Sequence, residues 1–252
     1  MNQSINKWFH CRVERPDAQV RLVCFPPAGA ATSFFFGWAE LLPPTVELHV
    51  CQLPGRERRL NEPLLTNLDE LLPLVLQGIE AIADRELHLF GFSLGALIAF
   101  EVAHGLQLAR PRVDHLLVAS QSAPQRVENY ELHLLDDFEF LRKLQLKYGD
   151  LPGAITSSAE IMQFYLRILR ADISLLESFK FRDRPKLTLP VTAYAGMQDM
   201  SVSAESLDAW RDVTSGNFSA SVFPGDHFFT AAQRSSFLRA LSQDILTHHL
   251  EQ

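Results

Sequence analysis

The clearest candidate for a reactive side chain in this sequence is a serine that lies between two glycines. Ser93 is the third residue of the segment Gly-Phe-Ser-Leu-Gly at 91–95. Residues 86–90 read as a short buried strand and residues 96–103 as an apolar helix. A sharp strand-to-helix turn leaves no space for side chains beside the serine, which accounts for the glycines. The turn places the Ser93 hydroxyl at a helix N-terminus, where backbone N–H groups favour a developing negative charge.

A serine hydroxyl is a poor nucleophile until a base removes its proton, and that base needs a carboxylate to orient it. A serine on such a turn is typical of the α/β-hydrolase fold, in which the acid and then the histidine follow it along the chain. Asp199 follows a strand-like run at 191–196, and His227 follows another at 218–223. We therefore predict a catalytic triad of Ser93, Asp199 and His227.

The other histidines are less suitable than His227 as the catalytic base because of their positions in the predicted elements. His88 and His115 begin strands and are expected at the opposite edge of the sheet, whereas His49 lies inside a strand as a satisfied core or edge residue. Asp226 adjoins His227, so its carboxylate is poorly placed to hold that ring, and we expect it to act in the turn. The remaining histidines fall outside strand-to-loop junctions and are expected in solvent: His10, His104, His133, His248 and His249.

Acyl transfer also needs hydrogen-bond donors where the oxyanion forms. One donor is predicted to be the backbone N–H of Leu94, directly after the nucleophile, and the other should lie in the loop after an early strand. That loop is residues 25–31, in which two prolines precede Ala28. Because proline has no N–H, Ala28 is the first residue there that can donate. A rigid strand exit would also explain the prolines, but not the small residues that follow.

Strands alternate with helices along the chain, which indicates an α/β fold with a mostly parallel central sheet flanked by helices. The 252 residues and 47% hydrophobic content suffice for one α/β-hydrolase domain over 1–252. The predicted strands are 20–25, 46–53, 86–90, 115–120, 189–195 and 218–223, and the predicted helices are 33–42, 68–83, 96–103, 204–213 and 230–250.

One segment interrupts the alternation. Residues 125–185 have no convincing strand but have helical patterns at 136–148 and 159–179, separated by a turn-rich stretch at 149–153. An insertion of about 60 residues is too long for an ordinary connection, and on an enzyme scaffold it is often a lid. The alternative is a helical crossover that only packs on the sheet. We favour the lid, because the insertion leaves the edge of the sheet where sites form.

Composition excludes several classes of protein. A net charge of −7 gives no basic footprint for nucleic acid. The three cysteines are odd in number and widely spaced, so Cys24 and Cys51 are expected as buried free thiols, and no metal-ligand spacing is present. Neither a signal-peptide pattern nor a run of about 18 apolar residues is found, which predicts a cytoplasmic protein without membrane contact.

Taken together, these segments resemble the type II thioesterases, stand-alone α/β-hydrolases associated with nonribosomal peptide and polyketide synthases. The similar segments are residues 25–29, 35–38, 52–57, 91–95, 209–211 and 223–229. The resemblance implies hydrolysis of acyl thioesters from the phosphopantetheine arm of carrier proteins, which clears misprimed or stalled groups. It assigns the triad to Ser93, Asp199 and His227, and the oxyanion hole to the N–H groups of Ala28 and Leu94.

The resemblance also implies acyl- or peptidyl-carrier domains as partners and no bound cofactor or metal, since the carrier brings its own phosphopantetheine. A monomer is expected. The candidates for carrier docking are Arg56, Arg58 and Arg59, and the alternative is that they belong to a solvated surface loop. An exposed apolar face of the lid could also dock the carrier, and the alternative is that its residues pack in the core. These residues are Leu166, Leu169 and Phe179.

The sequence departs from the family where histidine usually precedes the nucleophile and the oxyanion alanine. Here these residues are Phe92 and Pro27, which suggests a more apolar acyl pocket. The alternative functions are a medium-chain acyl-carrier hydrolase of fatty acid synthesis, a small-ester esterase, a transferase to an alcohol or amine, and a non-catalytic synthase-binding module.

Overall fold

One seven-stranded sheet forms the centre of the molecule. The computed structural model describes residues 6–107, 113–149 and 158–250. Its strands are β1 Phe9–Cys11, β2 Val20–Phe25, β3 Val46–Cys51, β4 Glu86–Phe92, β5 Val113–Ala119, β6 Val191–Gly196 and β7 Phe218–Phe223. They lie in the order β1-β3-β2-β4-β5-β6-β7, in which only the pairing of β1 with β3 is antiparallel. This is the predicted α/β architecture with a mostly parallel sheet.

The inner strands are covered on both faces. Every residue of β2, β3 and β6 is buried, as are six of the seven residues of β4 and of β5. Burial on both faces is characteristic of parallel strands with helices on each side. At the end of the sheet, β7 is largely exposed. Because β4 lies between β2 and β5, the turn that carries Ser93 lies at the centre of the sheet.

Helices pack on the two faces of this sheet. They are α1 Leu68–Glu80, α2 Leu94–Leu106, α3 Asp137–Tyr148, α4 Ala159–Ser178, α5 Ala204–Asp208, α6 Phe229–Ala232 and α7 Arg234–Leu250. Residues of α1 and α2, such as Leu71 and Leu97, belong to one core cluster, and Phe237 and Leu241 of α7 belong to the cluster on the opposite face. No described helix is both long enough and apolar enough to cross a membrane.

The segment 125–185 is helical in its described part, as predicted, with α3 and α4 and two short 3₁₀ turns. Leu132, Phe140 and Ile173 contribute to an apolar cluster of its own. The predicted turn-rich stretch 149–153 lies outside the described residues from 150 onward. We call this segment the helical insertion.

Three predictions of secondary structure need correction, one of which is the helix predicted over 230–250, since it divides at Gln233 into α6 and α7. The helix predicted over 33–42 is only a 3₁₀ turn, Thr32–Phe35, because Gly37 adopts a left-handed φ of +82° that ends any helix there. The predicted helix 204–213 divides into α5 and a 3₁₀ turn, Ala209–Val213. The edge strand β1 was not predicted, since three residues are too few to show a period.

Candidate active site

The Ser93 turn has the backbone geometry that its glycines predict. Ser93 has φ +54° and ψ −118°, outside the regions that most residues adopt. A Cβ at Gly91 would lie 2.2 Å from the carbonyl oxygen of Gly95, and one at Gly95 would lie 2.1 Å from that of Phe25. Neither backbone atom can move without disturbing the sheet. Both glycines are therefore required for the turn to pack between β2 and α2.

Three loops bring Ser93, His227 and Asp199 together at the carboxyl edge of the sheet. Ser93 Oγ lies 3.1 Å from His227 Nε2, and His227 Nδ1 lies 3.0 Å from Asp199 Oδ2. Ser93 follows β4, Asp199 follows β6 and His227 follows β7. All three are buried, with 5%, 8% and 3% of their surface exposed for Ser93, Asp199 and His227 respectively. The distances are those of hydrogen bonds between a nucleophile, a base and an orienting carboxylate.

A second serine, which sequence reasoning missed, contacts both the acid and the histidine. Ser201 Oγ lies 2.6 Å from Asp199 Oδ1 and 3.0 Å from His227 Nδ1, and the Ser201 N–H donates to Asp199 Oδ1 at 2.9 Å. Burial raises the pKa of Asp199, but hydrogen bonds and charge attraction from His227 and Ser201 outweigh it, and the pKa lies below its ordinary value. Asp199 is therefore held as the carboxylate.

The imidazole of His227 is also packed between aromatic rings. Phe92 and Phe228 meet it edge-on with ring centroids 5.7 and 4.9 Å away, and the Tyr148 ring of the helical insertion lies at 4.8 Å. Ser120 Oγ donates to the His227 carbonyl at 2.7 Å. Ring and backbone are thus both held, which fixes the direction of Nε2 toward Ser93.

The loop after β2 borders the same site. The N–H groups of Gly29 and Ala30 are already used, since Gly29 donates to Asp172 and Ala30 to the carbonyl of Pro27. Within the described part of the chain, no acceptor is recorded for the N–H of Ala28 or of Leu94. Ala28 lines the same cavity as Ser93. The described residues therefore leave these two N–H groups, the ones predicted for the oxyanion hole, without an acceptor.

A cavity of about 600 Å³ adjoins Ser93 and His227. Helices α3 and α4 of the helical insertion supply much of its apolar wall, so the insertion covers the site. Apolar and aromatic side chains that line it include Leu144, Tyr148, Tyr165, Leu169, Ile173 and Phe228. Pro27 is among the described lining residues and Phe92 is not. The position before the nucleophile therefore contacts the histidine, not the cavity.

The candidate docking residues are mostly buried. Arg56 and Arg59 are each 4% exposed, and they pair with Asp172 and Glu62 respectively. Of this trio Arg58 alone is exposed. Leu166 and Leu169 are also buried, in the core of the insertion. Arg56 and Arg59 therefore fit neither the exposed docking role nor the solvated loop that was its alternative, whereas the core alternative holds for both leucines.

The other histidines lie away from Ser93. His88, which is fully buried, bonds to Glu86, and His115 bonds to Thr192. His10, His104 and His133 are half-buried rather than solvated, and His133 Nδ1 lies 2.5 Å from Glu177. The side chains of His248 and His249 lie outside the described residues. Asp226 accepts from the N–H of Phe228, the turn role predicted for it.

Among the described residues, one cluster has the residue types of a metal site. Ligand atoms of Cys11, Glu47 and His49 lie within 4.8 Å of one another. Both oxygens of Glu47 are already engaged, by the Arg15 N–H and by Arg21 and His49. This cluster is an ion-pair network at the opposite end of β3 from the site. Cys11, Cys24 and Cys51 are free thiols, the last two buried as predicted.

A serine, a carboxylate and a histidine in this chain order at the carboxyl edge of a parallel sheet are the arrangement of α/β-hydrolase enzymes. The Thioesterase domain family model matches residues 20–245. The gramicidin S biosynthesis protein GrsT of Aneurinibacillus migulanus is 37% identical, over 89% of this chain and 88% of that protein. The human medium-chain S-acyl fatty acid synthase thioesterase is 30% identical, over 88% and 84%.

Solved structures of thioesterases are also similar to this chain. The type II thioesterase BorB from the borrelidin biosynthetic cluster superposes with a TM-score of 0.82 at 30% identity, covering 94% of this chain and 95% of that one. The RedJ thioesterase from the prodiginine pathway of Streptomyces coelicolor gives a TM-score of 0.84 at 34% identity, covering 91% and 92%. The chain therefore belongs to the thioesterase family, whose members are thioester hydrolases.

Proposed function

We propose that this protein hydrolyses acyl thioesters from the phosphopantetheine arm of carrier domains and so edits misprimed or stalled nonribosomal peptide or polyketide synthases. The relatives GrsT and BorB are named for biosynthetic systems of this kind. The observation that carries the proposal is the alignment of Ser93, His227 and Asp199 beside a cavity of about 600 Å³. The cavity would take the acyl group, and the serine would attack its carbonyl.

In the proposed mechanism Ser93 Oγ attacks the thioester carbonyl carbon while its proton passes to His227 Nε2. The N–H groups of Ala28 and Leu94 stabilise the oxyanion. Collapse of the tetrahedral intermediate breaks the C–S bond, and His227 returns the proton to the departing thiol. Water, deprotonated by His227, then hydrolyses the acyl-serine. Asp199 remains ionised throughout and holds the imidazole in the reactive tautomer.

The chemistry as proposed uses no metal and no bound cofactor, because the serine and the histidine supply the nucleophile and the base. Carrier domains are the proposed partners. We further propose that the protein works in the cytoplasm as a monomer. Its three free thiols, Cys11, Cys24 and Cys51, fit a reducing compartment.

A second candidate is hydrolysis of medium-chain acyl groups from the carrier of fatty acid synthesis. It is favoured by the likeness to the human medium-chain thioesterase at 30% identity. The apolar lining of the cavity, from residues such as Leu144, Leu169 and Ile173, fits an alkyl chain. The two candidates share Ser93 and the acyl-serine, and they differ in the preferred acyl group.

The test measures hydrolysis of acetyl- and longer acyl-phosphopantetheinyl carrier protein by the wild type and by Ser93→Ala, beside the same acyl groups as free esters. We expect turnover on loaded carriers that falls by about 10⁴-fold or more in Ser93→Ala. Ser236→Ala, on the exposed surface of α7, is the control and should retain wild-type turnover. Preference for acetyl and other short groups supports editing, and a sharp medium-chain optimum supports the second candidate. No turnover by the wild type on any loaded carrier would refute both.

A further inference from the structure

A buried carboxylate of the helical insertion holds the loop that carries the oxyanion donor. Asp172 lies on α4, and its Oδ2 accepts from the Gly29 N–H and from Arg56 Nη1, each at 2.7 Å. Its Oδ1 accepts from Arg56 Nη2 at 2.7 Å. Arg56 Nη1 also donates to the carbonyl of Ala30 at 2.9 Å. Two residues far apart in sequence thus hold the backbone on the C-terminal side of Ala28.

The loop has a turn type whose central peptide has two alternative orientations. The Ala30 N–H donates to the Pro27 carbonyl at 3.1 Å, and Gly29 has φ +75°. This is a type II turn, with Ala28 and Gly29 at its centre. In a type I turn the peptide between these two residues is flipped, and the Ala28 carbonyl would point where the Gly29 N–H now points. Asp172 accepts that N–H and would repel a carbonyl, so it selects the type II form.

Burial of the Arg56–Asp172 pair strengthens the preference for the type II turn. The side chains of Arg56 and Asp172 are 5% and 1% exposed, so water cannot replace either partner. A charge in such a place is retained only when it is fully paired, and the two-pronged contact achieves this pairing. Tyr165 of α4 also packs on the loop, since a Cβ at Gly29 would lie 2.4 Å from its hydroxyl oxygen. The helical insertion therefore contacts the turn by charge and by shape.

We propose that Asp172, together with Arg56, is a positioning residue that sets the Ala28 N–H in the oxyanion hole and makes the hole complete only while α4 lies against the loop. The proposal rests on the proposed function, because it takes Ser93 as the nucleophile and Ala28 as a donor. Asp172 touches neither the nucleophile nor the proposed donor directly. Its effect passes through the Ala28–Gly29 peptide, whose N–H it accepts and which adjoins the peptide that carries the Ala28 N–H. Misplacing one donor should weaken transition-state binding and leave substrate binding largely unchanged.

The experiment compares Asp172→Asn with Glu47→Gln. Glu47 forms a matched buried pair with Arg21, with side chains 6% and 8% exposed, at the opposite end of the sheet. For Asp172→Asn we expect kcat on an acyl-carrier substrate to fall by about 10- to 100-fold with KM within about 2-fold. An acyl trifluoromethyl ketone, which forms an oxyanion on Ser93, should bind more weakly by a similar factor. Glu47→Gln should lower the unfolding temperature and leave kcat unchanged.

A second variant and a labelling experiment test the same role of Asp172 independently. If Asp172→Asn does not fold, Arg56→Lys retains the charge but loses the two-pronged contact, and the same fall in kcat is expected. Labelling of Ser93 by a fluorophosphonate, in which Oγ bonds to phosphorus and fluoride leaves, does not depend on the natural acyl group. Slower labelling in Asp172→Asn supports the proposal even if no carrier is hydrolysed. Labelling, kcat and ketone affinity that all equal those of the wild type would overturn it.

Discussion

At the scale of single residues, the site is organised around the His227 ring. Asp199 and Ser201 bond to Nδ1, while Phe92, Phe228 and Tyr148 enclose the ring. The apolar residue before the nucleophile was expected to alter the acyl pocket, but Phe92 is fully buried and packs against the histidine. Of the two residues that stand where the family usually has histidine, Pro27 lines the cavity and Phe92 does not. Substrate preference should therefore respond to position 27 more than to position 92.

Ser201→Ala removes a hydroxyl that contacts both Asp199 and His227. We expect kcat to fall by about 10-fold with little change in KM, because a hydrogen bond to a charged group contributes roughly 1.5–3 kcal/mol and this one orients the base. Steady-state kinetics on a loaded carrier measure the change. Ser203→Ala is the control, since Ser203 caps α5 and does not contact His227. The control should lose about 1 kcal/mol of stability and keep its kcat. Equal kinetics for both variants would contradict an orienting role for Ser201.

At the scale of elements, α2 carries the Ser93 turn at its start and a titrating residue at its end. His104 lies in the last turn, where the helix dipole favours the protonated ring. Burial nevertheless lowers its pKa to about 4, with a further lowering from Arg184. The ring packs edge-on against Phe100 with centroids 4.7 Å apart. The desolvation of this contact therefore outweighs the dipole, and the folded state prefers the neutral ring.

The lowered pKa of His104 predicts a pH dependence of stability. Between pH 6.5 and 4 the unfolded chain binds a proton at this residue and the folded chain does not, so stability falls as the pH falls through this range. After allowance for partial exposure we expect about 1–2 kcal/mol, measured by urea unfolding at several pH values. His104→Gln should flatten the slope. Phe100→Leu should lower stability while keeping a slope, and an unchanged slope in His104→Gln would refute the prediction.

At the scale of the whole molecule, the cavity proposed for the acyl group lies where the helical insertion meets the carboxyl edge of the sheet. The sheet supplies Ser93 and His227, and the insertion supplies Tyr148, Leu169 and Ile173. Neither part encloses the cavity alone. Chemistry and acyl-chain selection are therefore assigned to different parts of the chain, and the Asp172 contact joins them.

This division predicts that acyl-chain length can be changed without altering the triad. Ile173→Trp fills part of the cavity, so we expect the preferred acyl chain to become shorter while the acetyl group is still hydrolysed. Rates on a series of acyl carriers measure the shift. Leu134→Trp is the control, because Leu134 is on the outside of the insertion and 69% exposed. A profile in Ile173→Trp identical to that of the control would place the acyl chain elsewhere.

Much of the site could be predicted from the sequence because its signals are local. The Ser93 turn is evident in five residues between a strand and a helix, and Asp199 and His227 each lie within four residues of the end of a strand. A parallel sheet brings such strand ends to one edge, so their proximity follows from the order of the elements. The helices of the insertion were predictable for the same reason, since their periodicity lies within each segment.

The sequence by itself determined the α/β class, the serine turn and the order of the candidate triad. Only the tertiary structure decided the partner of Arg56, the contact of a second serine with His227 and the contact between Asp172 and Gly29. These contacts join residues up to 143 positions apart, and no local period or spacing encodes them. An arginine in a loop has the same pattern whether it meets solvent or a buried carboxylate. The packing of the insertion against the sheet decides which one it meets.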